Sequence, residues 1–397
     1  MSRFGRIASA TKLYWGLLAV IAAGAFLSPV SFDGTNVFLS ASNLTDVLRQ
    51  VSITGIIAVG MTLVILTGGI DLSVGSVMAL GATLVAMLLT QQGWHNAAVA
   101  GVPATMLVLG GLAWAGVSAL LKRRGVAPFP ALAAGAAAGA VLAAGAYLWL
   151  TPQLGEGVGL LGVIIAALAV GLVIGGLNGL AVAKGGLQPF IATLAAMVAV
   201  LGLARLMAGQ DQSVYPIYSG TEAAETFGIL RSSVFGIPVP GLLFVAVVVG
   251  FALLLSRFRF GREIYAIGGN EKAAHLAGVN VARVKITVYA LSGMLAAFAG
   301  VLYAAQYRQG KPDAGVGLEL DAIAAVVIGG ASLMGGRGTV QGTLVGVLIF
   351  GLLTNVFQLS NVDSNTQLVL KGLIIIAAVL VQEGKGLSFA RFRRKSG

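Results

Sequence analysis

The chain has 397 residues, of which 57% are hydrophobic and only 10% charged, with a net charge of +11. Soluble domains have roughly 25% charged residues and disordered chains combine high charge with low hydrophobicity, so both classes are excluded. Mean hydropathy is +0.94, and most of the sequence has to be solvated by lipid.

Cysteine is absent, which rules out disulfides, thiolate metal sites and thiol catalysis. The two histidines, His95 and His275, are far apart and show no metal-ligand spacing. The basic residues sit in short clusters between apolar runs, a pattern that reads as membrane orientation rather than nucleic-acid binding.

A bilayer core takes about 20 apolar residues in a helix. Taken in chain order, runs of that size occur at 13–30, 50–67, 74–90, 98–121, 130–150, 158–183, 187–207, 239–256, 286–306, 338–359 and 367–383. The first follows Arg3, Arg6 and Lys12 and is expected to remain as a span, because cleavage there would not make the rest soluble. A shorter apolar piece, 321–334, is a tight span or a re-entrant segment. Counting it keeps the basic tail with Arg391, Arg393, Arg394 and Lys395 on the same side as most of the other Lys and Arg. The expected fold is all-α and polytopic, with 10–12 transmembrane helices and both termini cytoplasmic.

The loop 208–238 then falls outside, carrying Asp211, Glu222 and Glu225 against one basic residue, Arg231. Tyr14, Trp15, Trp94 and Trp149 lie near span ends, where aromatic rings anchor in the headgroup zone. Arg205 and Lys371 sit near outer ends and are expected to snorkel. Small residues crowd Ala133–Gly145 and Val170–Gly179, as close helix packing in lipid requires.

Enzyme motifs are missing from the sequence. No GxxxxGK run followed by Ser or Thr exists, and no serine triad, HExxH site or paired catalytic carboxylates can be assembled. No covalent chemistry and no ATP hydrolysis are expected of this chain alone.

The strongest positive feature is 257–285, which is too charged to span. Asn270 is a plausible N-cap, Glu271 suits a first helical turn, and Gly278 is a natural stop. A helix of two turns is too short to be stable alone, so it either docks on a partner or is an ordinary surface loop.

Glu271-Lys-Ala273-Ala274 followed by Gly278 resembles the EAA-and-glycine coupling segment of ATP-binding-cassette import permeases. Val59-Gly-Met-Thr62, Thr67-Gly-Gly-Ile-Asp71-Leu-Ser-Val-Gly75-Ser76, Pro189-Phe190-Ile191-Ala-Thr193-Leu194, Ile264-Tyr-Ala-Ile-Gly-Gly-Asn270 and Glu319-Leu-Asp321-Ala are similar to the signatures of ribose- and xylose-type sugar permeases. The resemblance covers about 45–95 and 158–383.

It implies the permease subunit of a monosaccharide importer in the bacterial inner membrane, with a pentose as first choice. Two such subunits would pair with ATP-binding subunits inside and a periplasmic or lipid-anchored sugar-binding protein outside. ATP and Mg2+ would be held by the partner, with no cofactor on this chain. Coupling to the ATPase is expected of Gly261, Arg262, Gly268, Asn270, Glu271, Lys272, Ala273, Ala274 and Gly278. The stretch 97–157 departs from the ribose-type pattern as a two-span insertion.

Polar residues in or beside spans have two readings. Asp71 is either a substrate or proton site, or the cap of the helix that follows the Gly68-Gly69 break. Asn178, Gln188, Thr193, Asn355 and Gln358, with Phe190, are translocation-path candidates, while Asn, Gln and Thr also bond helix to helix. Glycine-broken apolar pairs around Gly68–Gly81 and Gly329–Gly346 hint at an internal repeat. A branched-chain amino acid permease and an ATPase-independent secondary transporter are the alternatives.

Overall fold

The computed structural model describes residues 3–90, 160–209, 214–217 and 227–383, with isolated helical positions between 111 and 139. The predicted spans 98–121 and 130–150 and the basic tail fall almost wholly outside the described residues. Within them the chain is built of helices, α1 Arg3–Leu27, α2 Ala41–Leu66, α3 Val74–Thr90, α4 Leu160–Ala183, α5 Pro189–Ala208, α6 Val239–Arg257, α7 Arg259–Gly269, α8 Glu271–Leu276, α9 Val281–Tyr307, α10 Leu318–Ile328, α11 Val340–Leu359 and α12 Ser364–Glu383. Among the described residues, six helices (α2, α4, α5, α6, α9 and α11) are long and apolar enough to cross a membrane.

Local chemistry sets the helix ends. Ser40 caps α2 by accepting from the Asn43 amide, and Gly68, at φ +78°, turns the chain out of its far end. Pro189 starts α5 at a position where its missing N–H costs nothing. Thr339 caps α11 through the Gly342 amide at 3.0 Å. Asp363 accepts from the Asn365 and Thr366 amides at 3.0 and 3.1 Å, and its bonds to Thr366 hold its carboxyl below the usual range.

The long helix α9 is the hub, packing against α2, α3 and α4. Its contact with α4 runs along Gly171, Gly175 and Gly179, three residues one turn apart. A Cβ on Gly175 would lie 2.1 Å from the Tyr289 carbonyl oxygen, and one on Gly293 would lie 2.2 Å from that of Gly171. Only glycine permits that approach. Lipid gives apolar helices no reason to avoid lipid, so contact area between backbones is what joins these two.

α2 starts at Ala41 rather than at 50, because its first turns carry polar residues that hydropathy discards. The predicted segment 321–334 is α10, whose 11 residues extend roughly 16 Å, followed by the non-helical run 329–339. Helix and return loop together bring the chain to the end of the bundle where α2 stops, with the Gly336 amide donating to the Leu66 carbonyl at 3.0 Å.

The opposite end is closed by loops. β1 (Tyr215–Pro216) pairs with β4 (Gln309–Gly310), and β2 (Ser233–Val234) with β3 (Ile237–Pro238), both antiparallel. Arg205 is 60% exposed there, and its guanidinium meets Asp313 at 2.9 Å. Lys371 turns into the bundle, 2.9 Å from Asp321 and above the Phe350 ring.

Candidate functional site

After α6 the chain leaves the bundle and forms two small helices before re-entering as α9. α7 buries Gly261, Ile264 and Ile267, one helical face at three-residue spacing, while Arg259 and Glu263 pair at 2.8 Å on the outer side. Near its end, a Cβ on Gly268 would lie 1.8 Å from the Leu66 carbonyl oxygen and 2.3 Å from the Gly336 amide. The Tyr265 hydroxyl donates to the Gly338 carbonyl at 2.8 Å. Burial pushes that phenol above its usual value, so it remains a donor. α7 therefore rests directly on the end of α2 and on the return loop between α10 and α11.

α8 is the outermost piece. The Asn270 side chain accepts from the Ala273 amide at 3.0 Å, as a cap should, and Gly278, at φ +84°, ends the turn. Ala274 is the buried residue of α8, and Leu276 is 87% exposed. The Lys285 ammonium binds Glu271 at 2.7 Å, tying α8 to the N-terminal part of α9. A shallow depression beside it is lined by Ala183, Lys272, His275 and Asn280.

The predicted coupling residues thus divide by position. Gly261 and Ala274 are buried and Gly268 is pressed against backbone, whereas Arg262, Asn270, Glu271, Lys272, Ala273 and Gly278 are exposed. A helix at α7 is absent from the sequence expectations, although the Gly261, Ile264, Ile267 spacing carries that signal. Lys285 had no local signal, because it meets Glu271 only through the fold.

Among path candidates, Asp71, Asn178 and Thr193 come together. One oxygen of Asp71 accepts from the Ser73 amide at 3.1 Å and the Ser73 hydroxyl at 2.6 Å, and the other accepts from Ser292 at 3.1 Å. The Asn178 amide donates to Ser73 at 2.9 Å. Thr193 donates to the carbonyls of Ile70 at 3.2 Å and Pro189 at 2.8 Å. Five segments thereby meet at the α2–α3 break, and Tyr289 stands beside it with its buried hydroxyl unpartnered among the described residues. Ser73 and Ser292 escaped the sequence reading, although Ser73, two residues after Asp71, is the pattern of an Asx turn.

The remaining candidates are elsewhere. Asn355 and Asn43 exchange amide hydrogen bonds of 2.8 and 3.1 Å at the far end. Gln188, Phe190 and Gln358 are exposed on the bundle surface.

A multi-helix body with broken helices, a buried polar joint and a protruding helical foot defines a polytopic membrane permease. The sequence model of the family described as branched-chain amino acid transport system / permease component matches residues 43–134 and 131–379, and the chain belongs to that family. It is 37% identical over 371 residues to the ribose import permease protein RbsC of Escherichia coli K12, covering 93% of this chain and 92% of that one. Identity to RbsC of Bacillus subtilis is 39% over 350 residues, covering 88% and 87%. The xylose transport system permease protein XylH of E. coli K12 is 35% identical over 374 residues, covering 91% and 89%. No solved structure matches.

Proposed function

We propose that this chain is the transmembrane permease subunit of an ATP-driven importer for a monosaccharide, a pentose first. The similarity to ribose and xylose permeases over most of the chain supports the substrate class. The observation that carries the mechanism is the foot. α8 presents exposed Leu276 and Lys272 outward, while α7 joins it through Gly268 to the ends of two broken membrane segments.

In this reading a separate ATP-binding cassette subunit, holding ATP and Mg2+, docks on α7 and α8 from the cytoplasm. Its closure pushes the foot, and α9 moves with α8 through Glu271 and Lys285. The ends of α2 and the 329–339 loop follow through Gly268, so the bundle switches access from one face to the other. The exposed side chains of α8 meet the motor, and buried Gly261 and Ala274 carry its displacement inward. Loop 208–238 receives the periplasmic or lipid-anchored sugar-binding protein. A second permease subunit completes the path, 97–157 adds two spans to the core, and both termini are cytoplasmic in the inner membrane.

Proteoliposomes containing permease, ATP-binding subunit and sugar-binding protein test this. Uptake of labelled D-ribose or D-xylose should require ATP and vanish when the partner's ATPase is inactivated. ATP-independent uptake would instead establish a secondary transporter. The family's description as a branched-chain amino acid permease component favours those amino acids as a second reading, and competition by leucine rather than pentoses would establish it.

A further inference from the structure

A cavity of about 170 Å3 opens between α2, α9, α10, α11 and α12 at the end of the bundle opposite the foot. Its chemistry comes from Gln50, Thr54, Tyr303, Tyr307, Asp321 and Lys371. Gln50 and Thr54 are one turn apart on α2, and Tyr303 and Tyr307 one turn apart on α9, so each pair shares a helix face. The tyrosine rings lie 4.6 Å apart at 39° and form one wall.

Two features point to a ligand. Within the described residues, the hydroxyls of Thr54, Tyr303 and Tyr307 and the amide of Gln50 make no hydrogen bond; Thr54 and Tyr303 are part-buried between the helices, and Gln50 and Tyr307 are exposed at the mouth. Part-buried hydroxyls between helices are satisfied by protein or line a path for something polar. Moreover, Asp321 and Lys371 pair at 2.9 Å with side chains only 19% and 18% exposed, so the cavity offers both charge signs without net charge.

A free ion gains little from a neutralised pair. A neutral ring with hydroxyls at its rim and C–H groups on its faces fits better. The rim finds donors in Lys371, Thr54 and the tyrosines and acceptors in Asp321 and Gln50, while the faces lie on aromatic and aliphatic walls. The small volume selects one ring over a disaccharide.

We propose that this cavity is a binding station for a single polyhydroxylated ring, occupied before the bundle switches. The proposal rests on the importer reading and deepens it by placing the sugar on this chain. The test uses the complete transporter in nanodiscs, with the wild-type complex first shown to take up D-ribose or D-xylose in proteoliposomes. No ATP-driven uptake of either sugar would sink the importer reading itself.

The chain lacks cysteine, so Thr54→Cys creates a single thiol. A methanethiosulfonate reagent should label it, and the transported sugar at ten times its half-protecting concentration should slow labelling roughly tenfold. Labelling of Ser256→Cys, at the opposite end of the bundle, should not change. Uptake with a Thr54 thiol that is unreactive, or equally reactive with and without sugar, overturns the station and leaves the importer standing. Should Thr54→Cys fail to assemble, Tyr303→Phe with Tyr307→Phe decides. Both rings remain, and maximal uptake should fall roughly tenfold at unchanged half-saturation and unchanged binding of the ATPase subunit. Full uptake by that pair refutes the proposal.

Discussion

The ammonium of Lys285 lies 2.7 Å from the carboxylate of Glu271, so the outermost helix of the foot is fastened near the start of the central helix of the bundle. Glu271 is 52% exposed, and an ion pair in that setting contributes only about 0.2–1 kcal/mol to stability. In the proposed mechanism its role is mechanical. Glu271→Gln should leave the melting temperature of the purified chain nearly unchanged while lowering the sugar taken up per ATP hydrolysed. Exchanging the charges, Glu271→Lys with Lys285→Glu, should recover more uptake than either single reversal. Equal losses in the singles and the exchange would show that the pair does not transmit force.

The contact of α4 with α9 makes a sharper stability claim. Gly175→Leu has to displace the Tyr289 carbonyl from 2.1 Å, and overpacking of this kind costs about 1–3 kcal/mol or more. Gly176, the next residue, has only the Ala290 methyl at 3.9 Å, so Gly176→Ala should be neutral or stabilising by up to about 1 kcal/mol. Thermal unfolding in detergent, followed by loss of the monodisperse peak on size exclusion, separates the two. Similar melting temperatures for both variants would contradict the packing.

The geometry at Asp71 lets its two sequence readings be tested apart. Its oxygens are occupied by Ser73 and Ser292, as expected of a cap and interhelical lock. Asp71→Ala leaves the Ser73 amide and two hydroxyls without that acceptor, at about 1–3 kcal/mol for each buried group left unmet. Asp71→Asn keeps one carbonyl oxygen and should retain much of the stability. If Asp71 locks the break, the uptake of Asp71→Asn should follow the same pH profile as wild type. A pH dependence that disappears in that variant would mark Asp71 as a proton site instead.

How much of this could be read from the chain differs by feature. Continuous apolar runs gave α3 at 74–90 and α6 from 239 to within a residue of its end, because burial in lipid writes itself into composition. The start of α2 was hidden, since Asn43, Thr45, Asp46 and Arg49 make its first turns look like loop. Asn270, Glu271 and Gly278 announced α8 through local capping chemistry. Lys285, Ser292 and the partner of Lys371 carried no such mark, because each finds its contact across the fold, at separations of 14, 221 and 50 residues. Local motifs are legible one turn at a time, whereas a joint between distant helices requires the packing.

Gly268 provides the last test of the foot. Its α-carbon is wedged between the Leu66 carbonyl and the Gly336 amide, where an added methyl would stand 1.8 and 2.3 Å from backbone atoms that cannot rotate away. Gly268→Ala therefore has to lift the end of α7 from α2 and from the return loop. Gly269, beside it, has open space where a Cβ would be, so Gly269→Ala is the matched control. The exposed face of α8 is untouched by either change, and the ATP-binding subunit should bind both variants equally. With Gly268→Ala, ATP hydrolysis should continue while uptake falls at least tenfold, because motor and bundle stay attached but no longer move together. With Gly269→Ala, hydrolysis and uptake should both match wild type. If Gly268→Ala also supported normal uptake, displacement would have to reach the bundle by another route, through α8 and the start of α9 alone.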